Sequence, residues 1–320
     1  MTRARPSPAA AAIVAGDRRA LARAITSVES DDRTADGLLR EVFPRTGKIP
    51  IVGLTGPLGV GKSSVINLLV AHLRAAGRSV AVIAVDPSSP FSGGSVLGDR
   101  IRLERRADDP GVFFRSMASR GHAGGVAAST RDVARLLEVA GFDVVLVETV
   151  GSGQVDVAIR GVASTRVVVL VPHLGDEIQT LKAGMFEIAD VFCINKSDLP
   201  GAERAERDLS ELASLGPAPD GWRARVVRTS TVTPSGIGEL WAAIEAHEQY
   251  VAGSSAHAAE RRRRTEEEIV GRVRDVLAEE LAGRLETDPS LRRLVDEVLA
   301  GKLDPRSAAD RLLAPLRKGR

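Results

Sequence analysis

The residues with the clearest chemical capacity lie in GPLGVGKSS, positions 56–64, between the apolar run IPIVGLT and the helical pattern VINLLVAHLRAAG. Gly56, Gly61, Lys62 and Ser63 fit the spacing G-x-x-x-x-G-K-[ST]. A glycine-rich loop between a strand and a helix can wrap its backbone N–H groups around phosphate oxygens, and the helix N-terminus adds positive partial charge at the same point. Gly59, Val60 and Ser64 complete the loop and helix start that would line such a phosphate. Lys62 would reach the β- and γ-phosphates, and the Ser63 hydroxyl would hold Mg²⁺. Without that context the glycines would mark only a turn and Lys62 a solvated helix start.

Carboxylates follow two other apolar runs. In AVDPSSPFSGGSVLGDR, Asp86 and Asp99 are spaced along a Gly/Ser/Pro-rich stretch too long for a tight turn, the kind of loop that carries function. They could face the phosphates through Mg²⁺; as isolated residues they would serve equally as turn-formers and helix caps. In ETVGSGQVD, Glu148 stands at a strand end, placed to hold a metal-bound water or orient the attacking one, and the Gly151 N–H could meet the γ-phosphate. The candidate catalytic set is therefore Lys62, Asp99 and Glu148, and the candidate metal set Ser63, Asp86, Asp99 and Glu148.

NKSD, residues 195–198, addresses the base. Guanine offers an N1–H and an N2 amino group that one carboxylate accepts together, whereas adenine lacks both. Asp198 therefore suits guanine, with Asn195 for the opposite edge and the Lys196 stem over the ring. A site built for such paired contacts discriminates by roughly 10⁴-fold or more. TST at 229–231 ends the next apolar run, where N–H groups of Ser230 and Thr231 could meet guanine O6; a plain polar cluster at a strand end is the alternative.

These residues require elements that bring separate loops to one edge. Apolar runs at residues 49–55, 79–85, 111–117, 142–148, 166–172, 190–195 and 224–230 alternate with helical patterns, as a parallel sheet with crossover helices demands. The runs are too uniformly apolar for a sheet with one wet face. The expected fold is α/β: a P-loop NTPase with a mostly parallel sheet covered by helices on both faces, a helical N-terminal segment and a C-terminal helical arm. The corresponding boundaries are 1–47, 48–255 and 256–320. In an open parallel sheet the ligand sits beyond the carboxyl ends of the strands, where every candidate residue lies.

Composition narrows the function. The 320-residue chain has a net charge of +2 and 3% aromatic residues, which gives neither a bulk electrostatic nor a base-stacking case for nucleic acid. The single cysteine, Cys193, lies within the apolar VFCIN and reads as a small buried side chain. No apolar run approaches the roughly 20 residues that span a bilayer, and the alanine-rich opening soon meets Asp17 and reads as the start of a helix. A cytoplasmic, non-membrane protein is the expectation.

The stretches GLTGPLGVGKSS, AVDPSSPFSGGSVLGDR, FFRSMASRGHAGGVA, GFDVVLVETVGSGQVDV, GDEIQTLKAG and INKSD, in this order, resemble the MeaB/ArgK-type GTPases, relatives of the signal-recognition-particle and nickel-insertion GTPases. The resemblance spans nearly the whole chain. It implies a homodimeric, Mg²⁺-dependent GTPase that acts as chaperone to an adenosylcobalamin-dependent acyl-CoA mutase, typically methylmalonyl-CoA mutase. Such a protein gates cofactor delivery or release and protects the mutase from inactivation. It implies phosphate and magnesium roles for Lys62, Ser63, Asp86, Asp99 and Glu148, and guanine reading for Asn195, Lys196 and Asp198. The chain departs from the family pattern at VGSGQVD, where VGVGQSE is more typical, and at PHLGDE, where PG is frequent, so that Val155 and His173 fall in regions expected to switch. Residues 173–190 look like the family's third switch, although Ile178, Leu181, Met185, Phe186 and Ile188 also make an ordinary amphipathic helix.

In the C-terminal segment, Ile269, Val273, Val276, Leu277, Leu281 and Leu285 recur at helical spacing, Pro289 divides, and Leu291, Leu294, Val295, Val298 and Leu299 repeat the pattern. Such a face needs a cover, either its own domain or a second subunit; the resemblance favours a dimerisation arm. Arg261–Arg264 followed by Glu266–Glu268 reads as an ion-paired, solvated helix face. Two rival functions fit the sequence less well. A metal-inserting GTPase would need clustered ligands, yet the five histidines are scattered. A kinase or transport ATPase would prefer adenine, against Asp198.

Overall fold

A computed structural model of the chain describes residues 6–30, 33–86, 109–118, 128–149, 157–172, 188–215, 221–253 and 255–317. The strands are β1 (Ile51–Thr55), β2 (Val80–Asp86), β3 (Val112–Ala118), β4 (Val144–Thr149), β5 (Thr165–Leu170), β6 (Val191–Ile194) and β7 (Arg225–Arg228). They form one sheet in the order β3-β2-β4-β1-β5-β6-β7, with every neighbouring pair parallel. Each strand coincides with one of the seven apolar runs. From β1 the chain crosses to β2 on one side, and from β4 to β5 on the other. The crevice at such a reversal, beyond the strands' C-terminal ends, is where an open α/β sheet takes its ligand.

Helices α1 (Pro8–Val14), α2 (Arg18–Glu29), α3 (Arg33–Val42), α4 (Lys62–Ala75), α5 (Ala128–Val139), α6 (Ala202–Leu215) and α7 (Ile237–Gly253) accompany the sheet. Successive strand residues serve opposite faces, because side chains alternate along a strand. Ala81, Ile83 and Val85 of β2 and Val145 and Val147 of β4 pack with α1, α2, α3 and α5 through Ile13, Leu21, Ile25, Val42 and Leu137. Their neighbours Val80, Val82, Val144 and Leu146 pack instead with α4 and α7 through Ile66, Leu69, Leu240 and Ile244. Val168, Leu170, Phe192 and Ile194 meet Ala205 and Leu209 of α6. Each fully buried Leu, Ile or Val side chain stabilises the fold by about 1.5–3 kcal/mol relative to exposure, which is why these strands carry no polar face.

The N-terminal segment forms the three helices α1, α2 and α3. Ser7 Oγ caps α1 by accepting from Ala10 N at 3.2 Å and itself donates to Glu41 Oε2 of α3 at 2.6 Å. Gly16, with φ +81°, and Asp17, whose carboxylate caps α2, make the break between α1 and α2. The group is fastened to edge strand β3 by the Arg115–Glu29 ion pair and by Arg18 Nη1 donating to Val112 O at 2.7 Å. At the opposite end of the sheet from the crevice, the buried Asp190 accepts from Arg166 N and Nε at 2.7 Å each and from Arg166 Nη2 at 2.6 Å, tying the start of β6 to β5.

Contacts divide the chain into two units, Met1–His257 and Ala258–Arg320. The second is built from most of α8 (Ser255–Thr287) together with α9 (Pro289–Leu299) and α10 (Pro305–Arg317). Asp288 caps α9 by accepting from Ser290 N at 2.9 Å, with Pro289 in the first helical turn, which is how the proline divides the pattern. The expected ion-paired face appears on α8 as Arg262–Glu266 at 2.9 Å and Arg263–Glu267. The third helix, α10, goes beyond the two expected here. No helix among the described residues is long and apolar enough to cross a membrane.

Cys193 is fully buried in β6, as its apolar setting implied, with Sγ 3.2 Å from Thr229 Oγ1. Burial pushes its thiol up to about 12. Because the thiolate is the reactive form, Cys193 in the native protein is expected to resist thiolate-directed reagents at neutral pH and to label only at the rate of unfolding. Stoichiometric labelling of native protein on mixing would contradict this packing.

Candidate nucleotide site

The loop from β1 to α4 turns on residues that only glycine fills without strain. Gly56 has φ +143° and a Cβ there would stand 2.2 Å from Val169 O; Gly61 has φ +94° and a Cβ there would stand 2.4 Å from Asn195 Nδ2. Gly61 is the N-cap of α4 and supplies no side-chain acceptor to the first turn of the helix. That is the condition for an anion site at a helix N-terminus. Lys62 opens the helix, is 6% exposed, and donates from Nζ to Gly56 O at 2.8 Å and Pro57 O at 2.9 Å. The ammonium is thereby held within the curl of the loop. Ser64 follows in the same first turn.

Ser63 Oγ donates to Glu148 Oε1 at 2.6 Å, across 85 residues of sequence. Glu148 is 6% exposed and lies near the end of β4, opposite Leu54 of β1 and Ala84 of β2. Asp86 closes β2, next to the end of β4. A hydroxyl and a carboxylate that meet beside the phosphate loop form an all-oxygen donor set, the kind a hard cation such as Mg²⁺ takes. Asp99, Gly151, Val155 and His173 lie outside the described residues.

The base loop leaves β6 and is tied to the phosphate loop at two points. Asn195 Nδ2 donates to Val60 O at 2.8 Å, and Lys196 Nζ donates to Gly59 O at 2.9 Å. Lys196 has φ +56°, the one non-glycine residue in the left-handed region among those described, a conformation that turns the chain sharply between the strand and Asp198. Ser197 N donates to Thr229 O at 3.0 Å, and Ser230 Oγ donates to Asp198 Oδ1 while accepting from Thr233 N at 3.1 Å. Asp198 is thus held by the loop that follows β7, and Thr231 belongs to the same turn.

Two features were not evident from the sequence. The Asn195 amide, read there as a contact to the base, is in the structure also a brace between loops. Its position is fixed on the other side by Thr229 Oγ1, which donates to Asn195 Oδ1 at 3.3 Å. Thr229 itself is fully buried; its signal in the sequence is a hydroxyl residue at the last position of an apolar run, immediately before the residue that holds Asp198. The described candidate residues that follow β1, β4, β6 and β7 thus converge on one edge of the sheet.

The chain was compared with known proteins. The family model described as "Methylmalonyl Co-A mutase-associated GTPase MeaB" matches residues 21–286. A putative GTPase of Pyrococcus abyssi is 46% identical over 301 residues, 93% of each chain. The mitochondrial methylmalonic aciduria type A homolog of Mus musculus is 35% identical over 323 residues, 94% of this chain and 77% of that one. Among solved structures, one described as a LAO/AO transport system kinase superposes with a TM-score of 0.71 at 27% identity, covering 97% of this chain and 96% of that one. With the motif residues gathered at one sheet edge and a family model that covers most of its length, the chain belongs to the MeaB family of methylmalonyl-CoA mutase-associated GTPases.

Proposed function

We propose that this GTPase is an accessory chaperone of an adenosylcobalamin-dependent acyl-CoA mutase, methylmalonyl-CoA mutase or a close relative, and that its nucleotide state gates cofactor loading and protects or reactivates the mutase. The observation that carries the reading is the buried junction at Asn195 and Val60 between the loops leaving β6 and β1, in a chain whose family model is described as methylmalonyl Co-A mutase-associated and whose mouse relative is named a methylmalonic aciduria type A homolog. A junction of this kind lets what occupies the base pocket and the phosphate pocket be sensed as one ligand.

In this reading Asp198, held by Ser230, accepts the two guanine donors, and the Lys196 stem covers the ring. Lys62 moves its ammonium from the Gly56 and Pro57 carbonyls to the β- and γ-phosphates, a short transfer within the same loop. Ser63 and Glu148, with Asp86 and Asp99, would hold Mg²⁺, which would supply charge neutralisation on the transferred phosphoryl group. Glu148 also orients the attacking water. Proton transfer or positioning of this kind is worth about 10²–10⁴-fold in rate. The guanine assignment weighs against the kinase or transport-ATPase alternative raised by the name of the solved neighbour.

The homodimer is proposed on a different observation. On α8, Ile269 (58% exposed), Val270 (67%), Val273 (53%) and Val276 (53%) present apolar side chains that a second copy would cover.

Three outcomes are expected. GDP binds far more tightly than ADP in a direct titration, and Asp198→Asn reduces that preference by about 10²-fold or more; equal affinities in the unaltered protein would exclude a guanine site. Glu148→Gln lowers GTP turnover by about 10²-fold or more while GDP affinity changes little, and undiminished magnesium-dependent turnover would remove Glu148 from the catalytic edge. GTP turnover rises on addition of the purified mutase encoded in the same cell. No change with any such mutase would leave the GTPase without the accessory role.

A further inference from the structure

At the end of the sheet away from the nucleotide loops, α7 brings two titratable residues against the starts of β5 and β6. His247 is buried, 1% exposed, with Nδ1 2.8 Å from Thr165 Oγ1 and Nε2 3.3 Å from Asp190 Oδ1. Thr165 Oγ1 also donates to Glu248 Oε1, which accepts from Ser164 Oγ at 2.6 Å. Asp190 is already the acceptor of Arg166 N, Nε and Nη2. The Trp222 ring meets the imidazole edge-on at 5.0 Å, with Tyr250 against Trp222 at 5.2 Å and the Arg225 guanidinium over its ring at 5.5 Å.

The protons of this chain can be counted. Glu248 Oε1 accepts from both the Ser164 and the Thr165 hydroxyls. Thr165 has one hydroxyl proton, and Glu248 takes it. Toward His247 the threonine oxygen is then an acceptor, so Nδ1 must carry a hydrogen. Nε2 faces the Asp190 carboxylate, also an acceptor, so it must carry one too. We infer that His247 is a buried imidazolium, flanked by Asp190 and, through Thr165, by Glu248, and that this cation is a pH-sensitive latch joining α7 to the first residues of β5 and β6. The latch bears on the nucleotide site because β6 spans only Val191–Ile194, between Asp190 and the base loop that begins at Asn195.

The direction of the pH response follows. The folded protein keeps a ring proton that the unfolded chain releases near pH ~6.5. The contribution of the latch is therefore complete below that pH and is lost as pH rises through the titration of the folded state. Long-range proton–nitrogen spectra of the full-length, nitrogen-15-labelled protein at about pH 7.5, where a free imidazole is mostly neutral, test the assignment. One of the five histidine rings is expected to show both nitrogens protonated, and His247→Gln removes that ring's signals. A single protonated nitrogen on the His247 ring would overturn the inference.

Glu248→Gln, which keeps an acceptor for Thr165 but removes the charge, gives a second readout should His247→Gln fail to fold. Its denaturant midpoint is expected to lie below that of the unaltered protein at about pH 6 and to converge on it toward about pH 9, as the imidazole discharges. A gap that stays constant over this range would show that the cluster is a pH-independent structural contact.

Discussion

The hydrogen bond from Asn195 Nδ2 to the Val60 carbonyl, 2.8 Å long and buried, is the contact on which the architecture of this site depends. It joins the loop leaving β6 to the loop leaving β1, two strands separated in the sheet by β5. The close approach requires glycine at position 61, where any Cβ would strike the same amide. It also requires that β6 be seated firmly, which Asp190 and Arg166 accomplish at its other end. A buried polar contact of this kind costs free energy if either partner is lost, so phosphate loop and base loop are constrained to move together.

The remaining contacts extend that constraint outward. Lys196 reaches Gly59, Ser230 holds Asp198, and Thr229 fixes the far side of the Asn195 amide. On the other flank, Ser63 and Glu148 join the first turn of α4 to β4. A nucleotide at this edge would touch groups held by β1, β4, β6 and β7 at once. On the proposed function, such a shared anchor would give a physical means by which loss of the γ-phosphate alters a surface elsewhere. A ligand can shift an equilibrium only by its difference in affinity for the two states.

Much of this was legible in the sequence because it is local. The strands stand out as apolar runs since both faces of the sheet are covered, and the phosphate and base motifs are contiguous stretches whose backbone demands glycine or a sharp turn. What was not legible is pairing across distance. Nothing in the sequence links Ser63 to Glu148, Thr229 to Asn195, or His247 to Asp190, since each pair meets only when parallel strands are set side by side. Helix α10 was less legible because Pro305 and Pro315 both fall within it, and proline in a sequence ordinarily marks a helix boundary. The break between α1 and α2 rests on Gly16 in the left-handed region and the capping carboxylate of Asp17.

The central claim is that a cobalamin-dependent mutase reads the nucleotide held at this edge. The most direct measurement is the affinity of purified acyl-CoA mutase for the full-length protein loaded with GDP and, separately, with a non-hydrolysable GTP analogue. The account predicts two different dissociation constants and, by linkage, a change of equal factor in nucleotide affinity when mutase is present. Identical constants for the two nucleotide states would contradict it, because a partner that does not distinguish them cannot be gated by hydrolysis.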